Sequence, residues 1–79
     1  MVLRNFLLPD GSLKSIPAQR KKREAVLHHI LKAFEAGRRY PEKEVVAILE
    51  RFHKDTATLR RELVGYGLMR REHGEYWIE

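Results

Sequence analysis

Three segments with helical signals, a three-residue link between the second and third, and a closing strand-turn-strand predict an α+β chain of the winged-helix class. The expected architecture is one small domain over residues 1–79. It comprises an N-terminal hairpin or extended arm over 1–17, three helices over 18–67 and a wing hairpin over 68–79.

The first element rests on Pro9-Asp10-Gly11-Ser12, a turn signal flanked by apolar residues. Phe6 to Leu8 and Leu13 to Ile16 are expected to form either a short hairpin or two extended arms. Pro17 suits the first turn of a helix. From Ala18 to about Ala36, Val26, Leu27, Ile30, Leu31 and Phe34 recur at three- and four-residue spacing, one face of an amphipathic helix that Gly37 ends.

The second helix begins near Pro41, where Glu42 and Glu44 complement the positive end of its dipole and Val45, Ile48, Leu49 and Phe52 form the buried stripe. Between these helices, Arg38-Arg39-Tyr40 has room only for a loop or a one-bridge strand. The link His53-Lys54-Asp55 forces the second and third helices to cross sharply, and Asp55 caps the third by accepting backbone N–H bonds. That helix runs through Leu59 and Leu63 to Tyr66, before Gly67. Leu68 to Glu72 and Glu75 to Ile78 then read as strands around the tight turn His73-Gly74.

Composition narrows the function classes. The chain has no cysteine, so disulfides and thiolate metal sites are excluded. Its only serines, Ser12 and Ser15, lie outside any nucleophile turn, and Glu42 and Glu44 are explained by the helix dipole, so no catalytic residue is assigned and no enzyme is expected. His28 and His29 diverge by about 100° on a helix, while His53 and His73 fall in predicted turns, so no metal site and no cofactor is expected. Met1 to Leu8 lacks the h-region and cleavage site of a signal peptide, and no apolar run spans a bilayer. The expected location is the cytoplasm, away from membranes.

The formal charge of +5 favours a polyanionic partner. Arg20-Lys21-Lys22-Arg23 covers one helical turn and is read as a solvated surface. On the third helix, rotation of about 100° per residue puts Leu59, Leu63 and Tyr66 inside and turns Thr58 and Arg61 outward. Arg60 lies between these faces and belongs either to a structural ion pair or to a binding surface. Arg70 and Arg71 alternate on the first wing strand, one facing solvent and one the domain. Tyr76 and Trp77 are assigned to the core or to covering a helix, because large aromatics supply scarce buried area.

The candidate nucleic-acid-binding residues are therefore Thr58, Arg60, Arg61, Arg70 and Arg71, with the third helix in the major groove of DNA and the wing on the backbone. The alternative is a protein-interaction or dimerisation module on the same scaffold. Homo-oligomerisation is compatible with either reading, and a palindromic DNA site requires it.

Phe6 with Asp10-Gly11, Ile16-Pro17 before Lys21-Lys22, and Tyr40 before Glu42-Lys43-Glu44-Val45 form one part of a broader pattern. Asp55 with Leu59-Arg60-Arg61-Glu62-Leu63-Val64, and Arg70 with Tyr76-Trp77, complete it. With these segments the chain resembles the domain of unknown function 2087 family, bacterial winged-helix-like domains often linked with transcription regulators. The resemblance implies a winged-helix fold and a connection to transcription, and it supplies no catalytic residue. Pro41 and Val46 depart from the small polar residues expected there. The chain is expected to lack the extra DNA-binding domain that some relatives carry, so it either binds DNA itself or contacts another protein as an accessory.

Overall fold

The computed structural model describes residues 7–79. Phe6, and with it part of the expected N-terminal hairpin, lies outside the described residues. What is described of the arm is one antiparallel bridge, Leu7 to Leu13, closed by a turn in which Ser12 N–H donates to Asp10 Oδ1 at 2.9 Å. Leu13 is buried, and its N–H donates to the Phe52 carbonyl at 2.7 Å, fastening the arm to the core.

Helix α1 spans Arg20–Leu31 and buries Val26, Leu27 and Ile30 completely. It is shorter at both ends than the periodicity predicts. At the start, Pro17 is buried and its carbonyl accepts from Arg23 Nε at 2.8 Å, which holds the preceding residues outside the helix. At the end, the N–H groups of Lys32, Ala33 and Phe34 donate three residues back, to His29, Ile30 and Leu31. This tighter winding turns Phe34 into the core, edge-on to Tyr40 at 5.1 Å between ring centroids.

Strand β1, Tyr40–Pro41, leads directly into α2, Glu42–Leu49. No side chain caps α2. Instead Glu42 N–H donates to the Gly74 carbonyl at 2.9 Å, so the tip of the terminal hairpin supplies the acceptor that a capping side chain supplies elsewhere. Val45 and Leu49 are buried, with Ile48 and Phe52 packed against them. The link to the third helix is longer than predicted because α2 stops at Leu49 and Glu50 to Phe52 form a hydrogen-bonded turn. Phe52 and His53 share the Leu49 carbonyl there, while the Phe52 carbonyl is diverted to the arm.

Helix α3, Thr56–Gly65, has the predicted Asp55 cap: the carboxylate accepts from Thr58 N–H at 3.2 Å and from Thr58 Oγ1 at 2.7 Å. Leu59 and Leu63 are fully buried, while Tyr66 at the helix end is half-buried beneath Arg20, 5.5 Å from the ring centroid. The helix closes in a Schellman motif, with Leu68 N–H donating to the Leu63 carbonyl and Gly67 N–H to the Val64 carbonyl. Arg23 of the basic run is half-buried and pairs with Glu62 at 3.1 Å, clamping α1 to α3; Arg20, Lys21 and Lys22 are exposed.

Strands β2, Arg70–Glu72, and β3, Glu75–Trp77, form the terminal hairpin, and the antiparallel sheet has the order β1-β3-β2. Register pairs Tyr40 with Tyr76 and Arg71 with Tyr76 on opposite sides of β3. His73 and Gly74 both take positive φ, 51° and 77°, as the two central positions of a tight hairpin turn of opposite hand to the common β-turn require. The described residues form a winged-helix-like α+β domain: three helices and a three-stranded sheet around one core, which includes Tyr40, Met69 and Tyr76. Among the described residues no helix is long and apolar enough to cross a membrane.

The Asp55 cap has a pH signature. Bonds from the Thr58 hydroxyl and then the Thr58 N–H hold the carboxyl below its ordinary range, with attraction from His53 and Arg61 in addition. A carboxylate with a lowered folded pKa contributes stability above its unfolded value and loses it as pH falls through the folded one. The difference in thermal midpoint between the parent and Asp55→Ala is therefore expected in full at neutral pH and to close below about pH 4. A gap that stays constant down to about pH 2 would assign the cap's effect to something other than the charge.

Candidate nucleic-acid interface

The surface where α3 meets the hairpin collects most of the residues picked from the sequence. An open groove of about 440 Å³ runs between them, lined by Ala57, Arg60, Arg61, Val64, Gly65, Arg71 and Tyr76. Its floor and walls are largely apolar, while three guanidinium groups stand at its edges. Helical rotation explains the α3 side, since residues 57, 61, 64 and 65 share the stripe opposite Leu59 and Leu63.

Arg61 is exposed and forms no ion pair among the described residues; its contact is a long bond to Thr58 Oγ1 at 3.5 Å. Thr58 itself is half-buried, and its hydroxyl is committed to Asp55. It thus serves the helix cap, a role that rotation alone did not reveal. Arg60 resolves to the structural alternative as well as the groove wall: its Nη1 lies 3.6 Å from Glu42 Oε2, with 27% of the side chain exposed.

The wing arginines alternate as expected, Arg71 opposite the buried Tyr76 on the domain side and Arg70 opposite Trp77 on the other, yet neither is buried. All three residues of β2 are exposed, because β2 is the sheet edge and the inward position beside it is filled by Tyr76. Arg71 lies across the Tyr76 ring, 5.7 Å from its centroid, with its head beside the groove and 3.9 Å from Glu42 Oε1. Arg70 points toward Glu79, with Nε at 2.7 Å, in a shallower depression that also holds Gly67, Met69 and Trp77. Tyr76 is buried in the core as expected, whereas Trp77 lies half-buried on the opposite face of β3, outside the core cluster, with Arg39 over its ring at 3.9 Å.

Glu42 is the residue that sequence reasoning left out of the site. It accepts a hydrogen bond from Tyr76 OH at 3.1 Å and faces Arg60 and Arg71. Burial, and then this bond to Glu42, push the Tyr76 phenol above its ordinary pKa, against the opposing pull of Arg60 and Arg71. The hydroxyl therefore stays protonated and available as a donor through neutral pH. Nothing local in the sequence signals this cluster, because it depends on the register of Tyr40–Pro41 against Glu75–Tyr76.

Ala57 and Gly65 leave room on either side of Arg61 for a second surface to approach. A Cβ placed on Gly65 meets nothing within 4 Å, and the residue ends α3 without a positive φ. Gly65→Ala is therefore expected to raise stability by about 0.4–1 kcal/mol, chiefly by restricting the unfolded chain. Urea unfolding checks this; a destabilised variant would mean that the position is more crowded than described.

No curated protein and no solved structure matches the chain. Residues 12–78 match the family described as uncharacterized proteins conserved in bacteria, domain of unknown function 2087, and the chain belongs to that family.

Proposed function

We propose that this domain is a non-enzymatic binding module of the bacterial cytoplasm that docks on duplex DNA, as in transcription regulators. Helix α3 enters the major groove, and the β2–β3 hairpin follows the phosphate backbone. The observation that carries the reading is the placement of Arg61, exposed and without an ion pair among the described residues, on the outward stripe of α3 beside Arg71 on the hairpin. A helix with its side chains is about 10–12 Å across, the width of the major groove, and arginine can engage a guanine edge by two parallel bonds.

Arg71 and Arg70 are 57% and 63% exposed along their side chains, suited to phosphate contacts that position the domain without reading sequence. The competing reading is a protein contact through the open edge of β2. That edge presents Arg70, Arg71 and Glu72, and charged side chains on a short edge strand oppose strand addition. The charge on this face favours DNA.

A salt series with random-sequence duplex tests the proposal. Binding is expected to be micromolar at low salt and to weaken with a logarithmic slope of about −0.9 for each phosphate neutralised, about −3 if Arg61, Arg70 and Arg71 each contact one. Light scattering on the same samples establishes how many chains bind. Absence of binding at low salt, or affinity indifferent to salt, would overturn the DNA reading in favour of a protein partner.

A further inference from the structure

Three groups that wall the groove converge on one carboxylate for which docking on DNA has no direct use. Tyr76 OH donates to Glu42 Oε1 at 3.1 Å, Arg71 Nη2 lies 3.9 Å from the same oxygen, and Arg60 Nη1 lies 3.6 Å from Oε2. Both arginine distances exceed the 2.7–2.9 Å of tight charge-assisted bonds. Arg71 is more than half exposed, and in solvent such a pair is held weakly. The Tyr76 bond, by contrast, is made by a buried residue.

We propose that Glu42 is an internal anion that a DNA phosphate must displace from Arg71 and Arg60, so that it holds down the electrostatic part of DNA binding. This rests on the DNA reading above. The exchange is feasible because Glu42 keeps two sources of stabilisation when the arginines turn away. Tyr76 OH still donates to it, and as the first residue of α2 it stays at the positive end of that helix dipole. The arginines in turn exchange one carboxylate for one phosphate and are never left without a counter-charge. Glu42 therefore tempers affinity without entering the interface as a contact.

Glu42→Gln tests this, because the amide oxygen can still accept from Tyr76 OH at nearly the same shape; circular dichroism and the thermal midpoint establish that the fold is retained. Affinity for random-sequence duplex is expected to rise about tenfold at 50 mM salt, and the gain to shrink by 200 mM as salt screens the competing carboxylate that the variant lacks. Glu44→Gln, which removes an equal charge two positions further along α2 where it pairs with Arg38, is expected to give no such gain. Adding Arg71→Gln to Glu42→Gln is expected to abolish most of the gain.

If the parent binds DNA and Glu42→Gln leaves affinity unchanged or lowers it, the competition is refuted while the DNA reading stands. A fall would show that Glu42 aims the arginines. An equal gain in Glu44→Gln, or a gain that survives Arg71→Gln, would reduce the effect to net charge and also refute the proposal. If neither parent nor variant binds at any salt, both readings fall together; binding by the variant alone supports the competition.

Discussion

Leu59→Ala or Leu63→Ala will each lower stability by about 2–5 kcal/mol, from the lost transfer energy of the side chain and the cavity left behind. Both leucines are fully buried on the inner stripe of α3, in the cluster that also holds Val26, Ile30, Val45 and Tyr76. A domain of this length has a total stability of only about 4–12 kcal/mol, so either change removes a large fraction of it. Urea unfolding with a fixed slope measures the loss. Changes below about half a kcal/mol at both positions would mean that the inner and outer faces of α3 have been exchanged.

Arg61→Ala will spare the fold and impair DNA binding. The side chain is exposed and its contact is the long bond to Thr58, so thermal midpoint and circular dichroism should match the parent. If Arg61 reads a guanine, the loss is about 1–3 kcal/mol at the preferred site, with reduced discrimination at one base pair. Arg71→Ala should behave differently: affinity falls for all sequences and the salt slope shrinks by about one unit, as loss of a phosphate contact requires. Filter binding at several salt concentrations separates the two patterns. If both variants remain folded and bind as the parent does, α3 does not dock as proposed and the protein-interaction reading replaces it.

What could be read from the sequence was set by short-range physics. The Asp55 cap involves a residue three positions away, the His73-Gly74 turn needs only two backbone conformations, and the Leu59 and Leu63 stripe follows from helical rotation. Errors arose where distant segments decide. The shortened α1 and the longer link after α2 depend respectively on the placement of Phe34 and on the bond from Leu13 to Phe52. Of the candidate residues, Arg60, Arg61 and Arg71 gather at the groove, Arg70 sits beside it, and Thr58 is drawn into the cap. Glu42 was out of reach because its partners Arg60, Arg71 and Tyr76 are far along the chain.

Strand β3 has a consequence for the order of events during synthesis. Tyr76 fills the centre of the core, pairs with Tyr40 and Arg71, and is translated after all three helices, while Gly37 N–H and Glu42 N–H donate to Ile78 and Gly74. The helices therefore emerge from the ribosome with one side of their shared core unfilled and with two amides of the Gly37 to Glu42 segment lacking their acceptors. Nascent chains arrested before residue 76 should remain sensitive to protease in the α1 to α2 region, and protection should appear in one step once β3 has cleared the exit tunnel. The winged-helix-like unit thus closes its core only after β3 is available, so its three helices pass through synthesis as an open, unsealed layer.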